Sequence, residues 1–130
     1  MKITKCKTLT ASAVIGLNRG YTDEKITNAE LKETILIAQQ VVKNTKRILL
    51  SVKLTKCEIL FLGQDEPSVT LDFINYPKFP YEEDVWKNAI LLFIKNIMRK
   101  LEQNRTVIIF QDETLMFDNS EKINPKINIT

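Results

Sequence analysis

A short polar loop near the start of the chain carries the side chains best suited to binding a ligand. Asn18, Arg19 and Tyr21 stand between a stretch of alternating apolar residues and a helix-like pattern. Loops that join a strand to a helix often hold binding residues, and a guanidinium can bind a carboxylate or phosphate through two parallel hydrogen bonds. The structural alternative is a tight turn, with glycine at its bend, in which Arg19 pairs with Asp23 or Glu66.

Candidate proton-transfer groups are few, because the chain contains no histidine. Histidine is the commonest general base near neutral pH, so carboxylates, tyrosines and cysteines remain. Tyr21 and Asp72 are the candidates for this role beside an anion held by Arg19. The adjacent carboxylate pairs at 65–66 and 112–113 fall in predicted turns, where sequence neighbours point apart. We expect both pairs to be solvated.

The cysteines predict no special chemistry. Cys6 and Cys57 form no C-x-x-C pattern, and we expect two reduced thiols in a cytosolic protein. Neither a metal-ligand cluster nor a glycine-rich phosphate loop occurs in the sequence. The sequence therefore predicts no metal and no cofactor.

Length and composition are those of an ordinary soluble domain. The chain has 130 residues, 44% of them hydrophobic and 27% charged, with a net charge of +3. This charge is too small to indicate nucleic-acid binding. The longest apolar cluster, 89–94, is far shorter than the roughly 20 residues that span a bilayer. We expect no membrane association and a cytoplasmic location, and the tail rich in Lys, Asn and Ile suggests a bacterial source.

Hydrophobic periodicity predicts the order strand, helix, strand, strand, helix, strand. The third element changes phase part-way, which predicts a β-bulge near Thr55 and Lys56. Residues 115–117 continue the last strand or form a short fifth one. The predicted elements cover residues 8–18, 28–44, 47–62, 69–73, 82–104 and 106–110.

This order is typical of a ferredoxin-like α+β sandwich, in which two helices cover one face of an antiparallel sheet. Right-handed crossovers predict the strand order 4-1-3-2. We expect a single domain over 1–118 and a partly disordered tail over 119–130. The alternative is another two-layer arrangement in which residues 47–62 form two short strands.

The sheet face away from the helices is predicted to be partly apolar. Val14, Ile74 and either Ile108 or Phe110 would point to that side. An uncovered apolar face indicates a partner or a ligand, so we predict a homodimer that buries these residues. The alternative is that the C-terminal tail covers them.

One stretch resembles a known family. The segment Ala13-Val14-Ile15-Gly16-Leu17-Asn18-Arg19-Gly20, followed by a capped helix start at 25–31, is similar to small uncharacterised bacterial proteins of the DUF3574 type. The resemblance implies a ferredoxin-like fold and carries over no site residue, because no function is established for that family.

The sequence favours a non-enzymatic binding or assembly module that dimerises through its open sheet face. The first alternative is a small metal-free enzyme acting on an anionic metabolite held by Arg19. The second is an accessory or toxin-neutralising protein of a mobile element, which small AT-rich single-domain proteins often are.

Overall fold

Two helices lie on one face of a five-stranded antiparallel sheet in the computed structural model, which describes residues 1–129. The predicted two-layer α+β sandwich is confirmed. The sheet order is β2-β3-β1-β4-β5, so the predicted four-strand order is extended by a fifth strand beside β4. The elements are β1 (Thr10–Gly16), α1 (Asn28–Lys46), β2 (Lys53–Phe61), β3 (Gln64–Ile74), α2 (Glu83–Lys100), β4 (Arg105–Phe110) and β5 (Thr114–Asp118).

Apolar residues at the spacing of each element build the core between the two layers. Every second residue of β1 from Ala11 to Ile15 is buried, as expected for a strand with one face against helices. Phe73 of β3 meets Phe93 of α2 edge to face, with ring centroids 5.4 Å apart. The buried stripe of α2 consists of Trp86, Ala89, Ile90, Phe93, Ile94, Ile97 and Met98.

The capped helix start expected at 25–31 is present, with Thr27 as the N-cap of α1. The Thr27 hydroxyl accepts a hydrogen bond from the Glu30 amide at 3.1 Å, which satisfies one of the free amides of the first turn. The Glu30 carboxylate does not reach back to Thr27, as it would in a full capping box. It bonds the guanidinium of Arg19 instead, so the cap also fastens the preceding loop to the helix.

Strand β2 begins later than predicted and contains no bulge. Its register with β3 runs without interruption from Lys53 opposite Asp72 to Phe61 opposite Gln64. The segment at 47–52 is not a strand, although Ile48 and Leu50 are buried. Its backbone groups bond side chains, as when Gln39 Nε2 donates to the Leu50 carbonyl. The phase change near Thr55 and Lys56 therefore lies within a regular strand, and the predicted β-bulge is wrong.

The β2–β3 hairpin projects beyond the helices and ends in an apolar tip. Leu62 and Gly63 form the two-residue turn, with φ values of 44° and 99°. Both values lie in the left-handed region that such turns require. The residues Ile59, Leu60, Phe61 and Leu62 are all exposed, and Leu60 retains 70% of its accessible surface.

The open sheet face differs from the prediction on β4. Val14 is half-buried and Ile74 is exposed, in keeping with their predicted side. Ile108 and Phe110 were assigned wrongly, because they pair with Ala13 and Ala11 and so share the core face. Their neighbours on β4 occupy the open face: Val107 and Ile109. That a second copy covers this face stays a prediction.

The two faces of β4 should respond differently to truncation. Ile108→Ala should lower the free energy of unfolding by about 2–5 kcal/mol, because it empties a fully buried site. Ile109→Ala, one position along on the open face, should change it by about 0.5 kcal/mol or less. Urea unfolding followed by circular dichroism measures both, and equal losses would contradict this assignment of β4.

A lysine on α2 fastens the β4–β5 turn to the helix. Lys87 Nζ lies 2.7 Å from Asp112 Oδ1 and 3.3 Å from Glu113 Oε1, over the ring of Phe110. Its neighbour Glu83 also accepts a hydrogen bond from Lys7 at 2.9 Å. These bonds hold the pKa of Asp112 and of Glu83 below the ordinary range of each carboxyl.

This network predicts a loss of stability in acid. A carboxyl whose pKa is lowered by folding stabilises the protein fully above its unfolded pKa, and the contribution disappears as pH falls through the folded value. We expect the urea concentration at the unfolding midpoint to decrease as the pH is lowered below about 4. In Lys87→Met this decrease with pH should be smaller. Lys95→Met is the control, since Lys95 also lies over a ring, that of Phe117, but has no ion pair within residues 1–129. An equal effect of both substitutions would refute the argument.

The C-terminal segment from 119 to 129 lies along one end of the sandwich. Its predicted partial disorder stays a prediction, and Thr130 lies outside the described residues. Within residues 1–129, neither helix has the length and apolar character needed to cross a bilayer.

Candidate functional site

The predicted ligand-binding arginine is already engaged by protein carboxylates. The guanidinium of Arg19 pairs with Glu24, Glu30 and Glu102, and only 17% of its side chain is exposed. These partners belong to the loop, to α1 and to the turn that follows α2. Arg19 therefore joins three parts of the fold, and both alternative partners considered from the sequence, Asp23 and Glu66, are absent from its ion pairs.

The other predicted site residues do not converge with Arg19 on one ligand site. The Tyr21 hydroxyl donates to the Lys122 carbonyl at 3.0 Å and accepts from Asn104. Asn18 Oδ1 is buried without a partner in the described chain, while the backbone of Asn18 bridges to Lys25. These groups hold the loop and the C-terminal segment in place.

Asp72 lies elsewhere on the open sheet face. It pairs with Ser12, whereas the loop follows Gly16, four positions along β1. At about 3.3 Å per residue the two places are roughly 13 Å apart. Asp72 lines an open depression with the side chains of Ile74 and Ile109. It cannot share one small ligand with Arg19 as the sequence interpretation required.

Neither cysteine is placed as a nucleophile or a metal ligand. Cys6 Sγ lies 3.4 Å from the Asn75 carbonyl, and Cys57 Sγ lies 3.4 Å from Thr70 Oγ1. Both are free thiols, and Cys57 lies in the middle of β2. Within residues 1–129 no group of three or more Cys, Asp and Glu side chains could hold a metal ion.

A different carboxylate, that of Glu66, has the features of a functional group. Glu66 belongs to β3, opposite Ile59 of β2, and its side chain lies across β1 above Gly16. A Cβ at Gly16 would overlap with Glu66 Oε1, so the carboxylate lies directly against the glycine and would have to move if a side chain were added there. Glu66 Oε2 accepts a hydrogen bond of 2.6 Å from Gln64 Nε2.

A buried amide, that of Gln103, holds the strand beneath this carboxylate. Gln103 Oε1 accepts from the Gly16 amide at 3.0 Å, and its Nε2 donates to the Gly16 carbonyl at 3.1 Å. The same nitrogen lies within 3.3 Å of the carbonyls of Asn18 and Leu101. The side chain thus replaces a strand partner at the end of β1. The backbone under Glu66 is rigid as a result.

Burial raises the pKa of the Glu66 carboxyl above its ordinary value, against smaller opposing effects of Gln64 and Lys126. Within residues 1–129 the other carboxyls with a resolved pKa shift, those of Asp23, Glu83 and Asp112, have a lowered pKa because each accepts a hydrogen bond from a lysine. A partly desolvated carboxylate is a common property of functional sites. We therefore take Glu66, Gln64, Gly16 and Gln103 as the candidate site.

The sequence interpretation missed Glu66 because it placed residues 63–68 in a turn. In the structure the turn is complete at Gly63, and Glu66 stands on a strand between exposed Asp65 and half-buried Pro67. The alternation of Gln64, Glu66 and Ser68 was the available signal. For the second pair, Asp112 and Glu113, exposure in a turn is correct, although both bind Lys87.

Two solved structures share the fold of this chain. A phage SAM lyase in complex with S-methyl-5′-thioadenosine matches with a TM-score of 0.66 at 14% identity, over 91% of this chain and 95% of that one. A phage SAM lyase in the apo state matches with a TM-score of 0.64 at 14% identity, over 88% and 91%. No family model matches the chain, and no curated protein is significantly similar.

At this level of identity the likeness shows a common fold. It contradicts the prediction of a non-enzymatic binding or assembly module, because both structures are of an enzyme. The resemblance to proteins of the DUF3574 type stays a prediction.

The contact between Glu66 and Gly16 can be tested by a double-mutant cycle. Gly16→Ala should cost about 1–3 kcal/mol of stability, because the new methyl group overlaps with the carboxylate. In the Glu66→Ala background most of that cost should vanish. Chemical denaturation of the four proteins gives the coupling, and additive effects would show that Glu66 does not lie over Gly16.

Proposed function

We propose that this protein is an enzyme that cleaves SAM (S-adenosylmethionine) and releases S-methyl-5′-thioadenosine, with Glu66 in its substrate site. The likeness in fold to the phage SAM lyase over 91% of the chain carries the proposal. Independent support comes from the Glu66 carboxylate, which is half-buried on the open sheet face and has no lysine or arginine within ion-pair distance in the described chain. A cationic substrate would supply the missing charge.

The charge of the substrate explains why a half-buried carboxylate suits this reaction. SAM is a sulfonium, and breaking its C–S bond to the amino-acid chain leaves the bonding electron pair on sulfur as a neutral thioether. Charge attraction is stronger where water is partly excluded, so Glu66 would bind and orient the sulfonium. Removing water from the substrate also favours a reaction in which its charge is lost.

The carbon chain that leaves the sulfur has two ways to complete its valence without water. Its own carboxylate can close onto the carbon to form a lactone, or a neighbouring proton can be lost to a base to form an alkene. Ring closure needs no proton acceptor, whereas proton loss would use Glu66, whose raised pKa suits a base. The two products are isomers, so NMR rather than mass distinguishes these routes.

The purified protein should convert SAM into an equal amount of S-methyl-5′-thioadenosine, measured by liquid chromatography and mass spectrometry. Glu66→Gln keeps the shape of the side chain and removes its charge, so we expect kcat/KM to fall at least about 100-fold. Asp65→Asn changes the exposed neighbour and should leave kcat/KM unaltered. Denatured protein controls for spontaneous decay of SAM. No product above that control, or equal losses in both variants, would refute the proposal.

The predicted cytoplasmic location and homodimer belong to this proposal. SAM carries one carboxylate besides its two cationic groups and so has a net positive charge, which differs from the small anionic ligand predicted from the sequence; that ligand stays a prediction. Arg19 is not a free partner for that carboxylate, because three glutamates already surround it. Light scattering with size-exclusion chromatography measures the oligomeric state.

A further inference from the structure

Strand β2 is the outer strand of the sheet, and no strand pairs with its outer edge within residues 1–129. The two-residue turn at 62–63 makes Phe61 and Gln64 the hydrogen-bonded pair that closes the hairpin. Hydrogen-bonded and non-hydrogen-bonded pairs alternate along an antiparallel ladder. The backbone amides and carbonyls of every second residue therefore point away from the sheet: Leu54, Lys56, Glu58 and Leu60.

This outer edge is accessible to a partner strand. The four residues share the helix side of the sheet, because Leu54 is the register partner of the core residue Leu71. Lys56, Glu58 and Leu60 are exposed on that side, so no helix overhangs this part of the edge. Neither Lys56 nor Glu58 forms an ion pair in the described chain. The edge thus combines outward backbone groups with two uncompensated charges of opposite sign.

The sequence of β2 is complementary to itself in the antiparallel direction. When Cys57 lies opposite Cys57 of a second copy, Lys56 lies opposite Glu58, and Glu58 opposite Lys56. Leu54 then lies opposite Leu60 on the same side of the sheet. Cross-strand pairs of opposite charge and of apolar side chains stabilise a sheet, whereas like charges directly opposite destabilise it. Charge and apolar character therefore match together in this register.

The same charges disfavour other symmetric registers. Moving the centre from Cys57 to Lys56 places lysine opposite lysine, and moving it to Glu58 places glutamate opposite glutamate. Centres farther along the strand leave both charges without a partner of opposite sign. Charged residues on an edge protect it from unrelated strands. On β2 their order permits the pairing that is centred on Cys57.

We propose that two copies of this chain pair their β2 strands antiparallel about a two-fold axis at Cys57, which joins the two five-stranded sheets into one. Such an interface is isologous, since the same residues meet on both sides. It forms about eight backbone hydrogen bonds, with a Lys56–Glu58 ion pair on each side of the axis. It differs from the dimer predicted from the sequence, which would bury Val14 and Ile74. It does not rest on the cleavage of SAM.

Disulfide formation by Cys57 reports the register directly. A non-hydrogen-bonded antiparallel pair brings the Cα atoms to about 4.5 Å, which is within the reach of a disulfide. The full chain carrying Cys6→Ser is treated with diamide, which accepts the two electrons and two protons of the thiols. We expect a disulfide-linked dimer on a non-reducing gel and by intact mass.

The matched control moves the thiol by two positions on the same side of β2. It carries Cys6→Ser, Cys57→Ser and Thr55→Cys. In the proposed register its two thiols lie about 13 Å apart along the strands, so it should give at least about tenfold less dimer. Equal yields from the two proteins would refute the register, and no dimer from either would refute the pairing.

Charge reversal tests the pairing without oxidation. Lys56→Glu or Glu58→Lys places like charges opposite each other, so each should raise the dimer dissociation constant at least about tenfold. The double variant Lys56→Glu/Glu58→Lys restores opposite charges and should return to within about threefold of the wild type. Light scattering with size-exclusion chromatography over a dilution series gives the constants, and circular dichroism verifies that each variant is folded.

Ile74→Asp is the control for this experiment, because Ile74 lies on the open sheet face and not on β2. It should leave the dissociation constant unaltered. The proposal is overturned if the wild type is monomeric at every concentration, or if the double variant is as weak as the single ones. Loss of the dimer in Ile74→Asp with no effect of charge reversal would favour the sheet-face dimer instead.

Discussion

The site depends on two hydrogen bonds between the side-chain amide of Gln103 and the backbone of Gly16. It bonds the amide and the carbonyl of one residue and so continues the sheet where β4 no longer accompanies β1. Gln103 is 8% exposed, so losing it would leave buried backbone groups unsatisfied. A glycine held in this way has a fixed backbone and no side chain. The Glu66 carboxylate therefore packs directly against that backbone.

The charged side chains of Arg19 and Glu66 at this end of the domain have different roles. The guanidinium of Arg19 pairs with three glutamates and thereby connects α1 and the turn after α2 to one loop. Such an arginine organises the fold, because a ligand would have to displace existing partners. Glu66, by contrast, has a neutral amide as its hydrogen-bond partner. A functional interpretation therefore starts from the charge that the fold leaves uncompensated.

Local patterns predicted the elements well and their phase less well. The cap at Thr27 and the stripe of α2 depend on neighbours three or four positions apart, which the sequence displays. The side on which Ile108 points depends on the register between β4 and β1, and a slip of one residue inverts it. Glu66 was missed for a related reason, since the length of the β2–β3 hairpin decides whether it lies in a turn or on a face. No local pattern in the sequence predicts that Gln103 forms hydrogen bonds with Gly16.

Strand β2 is an outer edge of the sheet, and its two halves are protected unequally. Lys53, Lys56 and Glu58 place charges along the first part, which discourages strands of unrelated sequence from adding there. The hairpin tip at 59–62 has no charge and is exposed. Uncharged apolar edges of this kind are where aggregation by strand addition begins. We therefore expect four residues that lie outside the core to set the tendency of the protein to aggregate at high concentration.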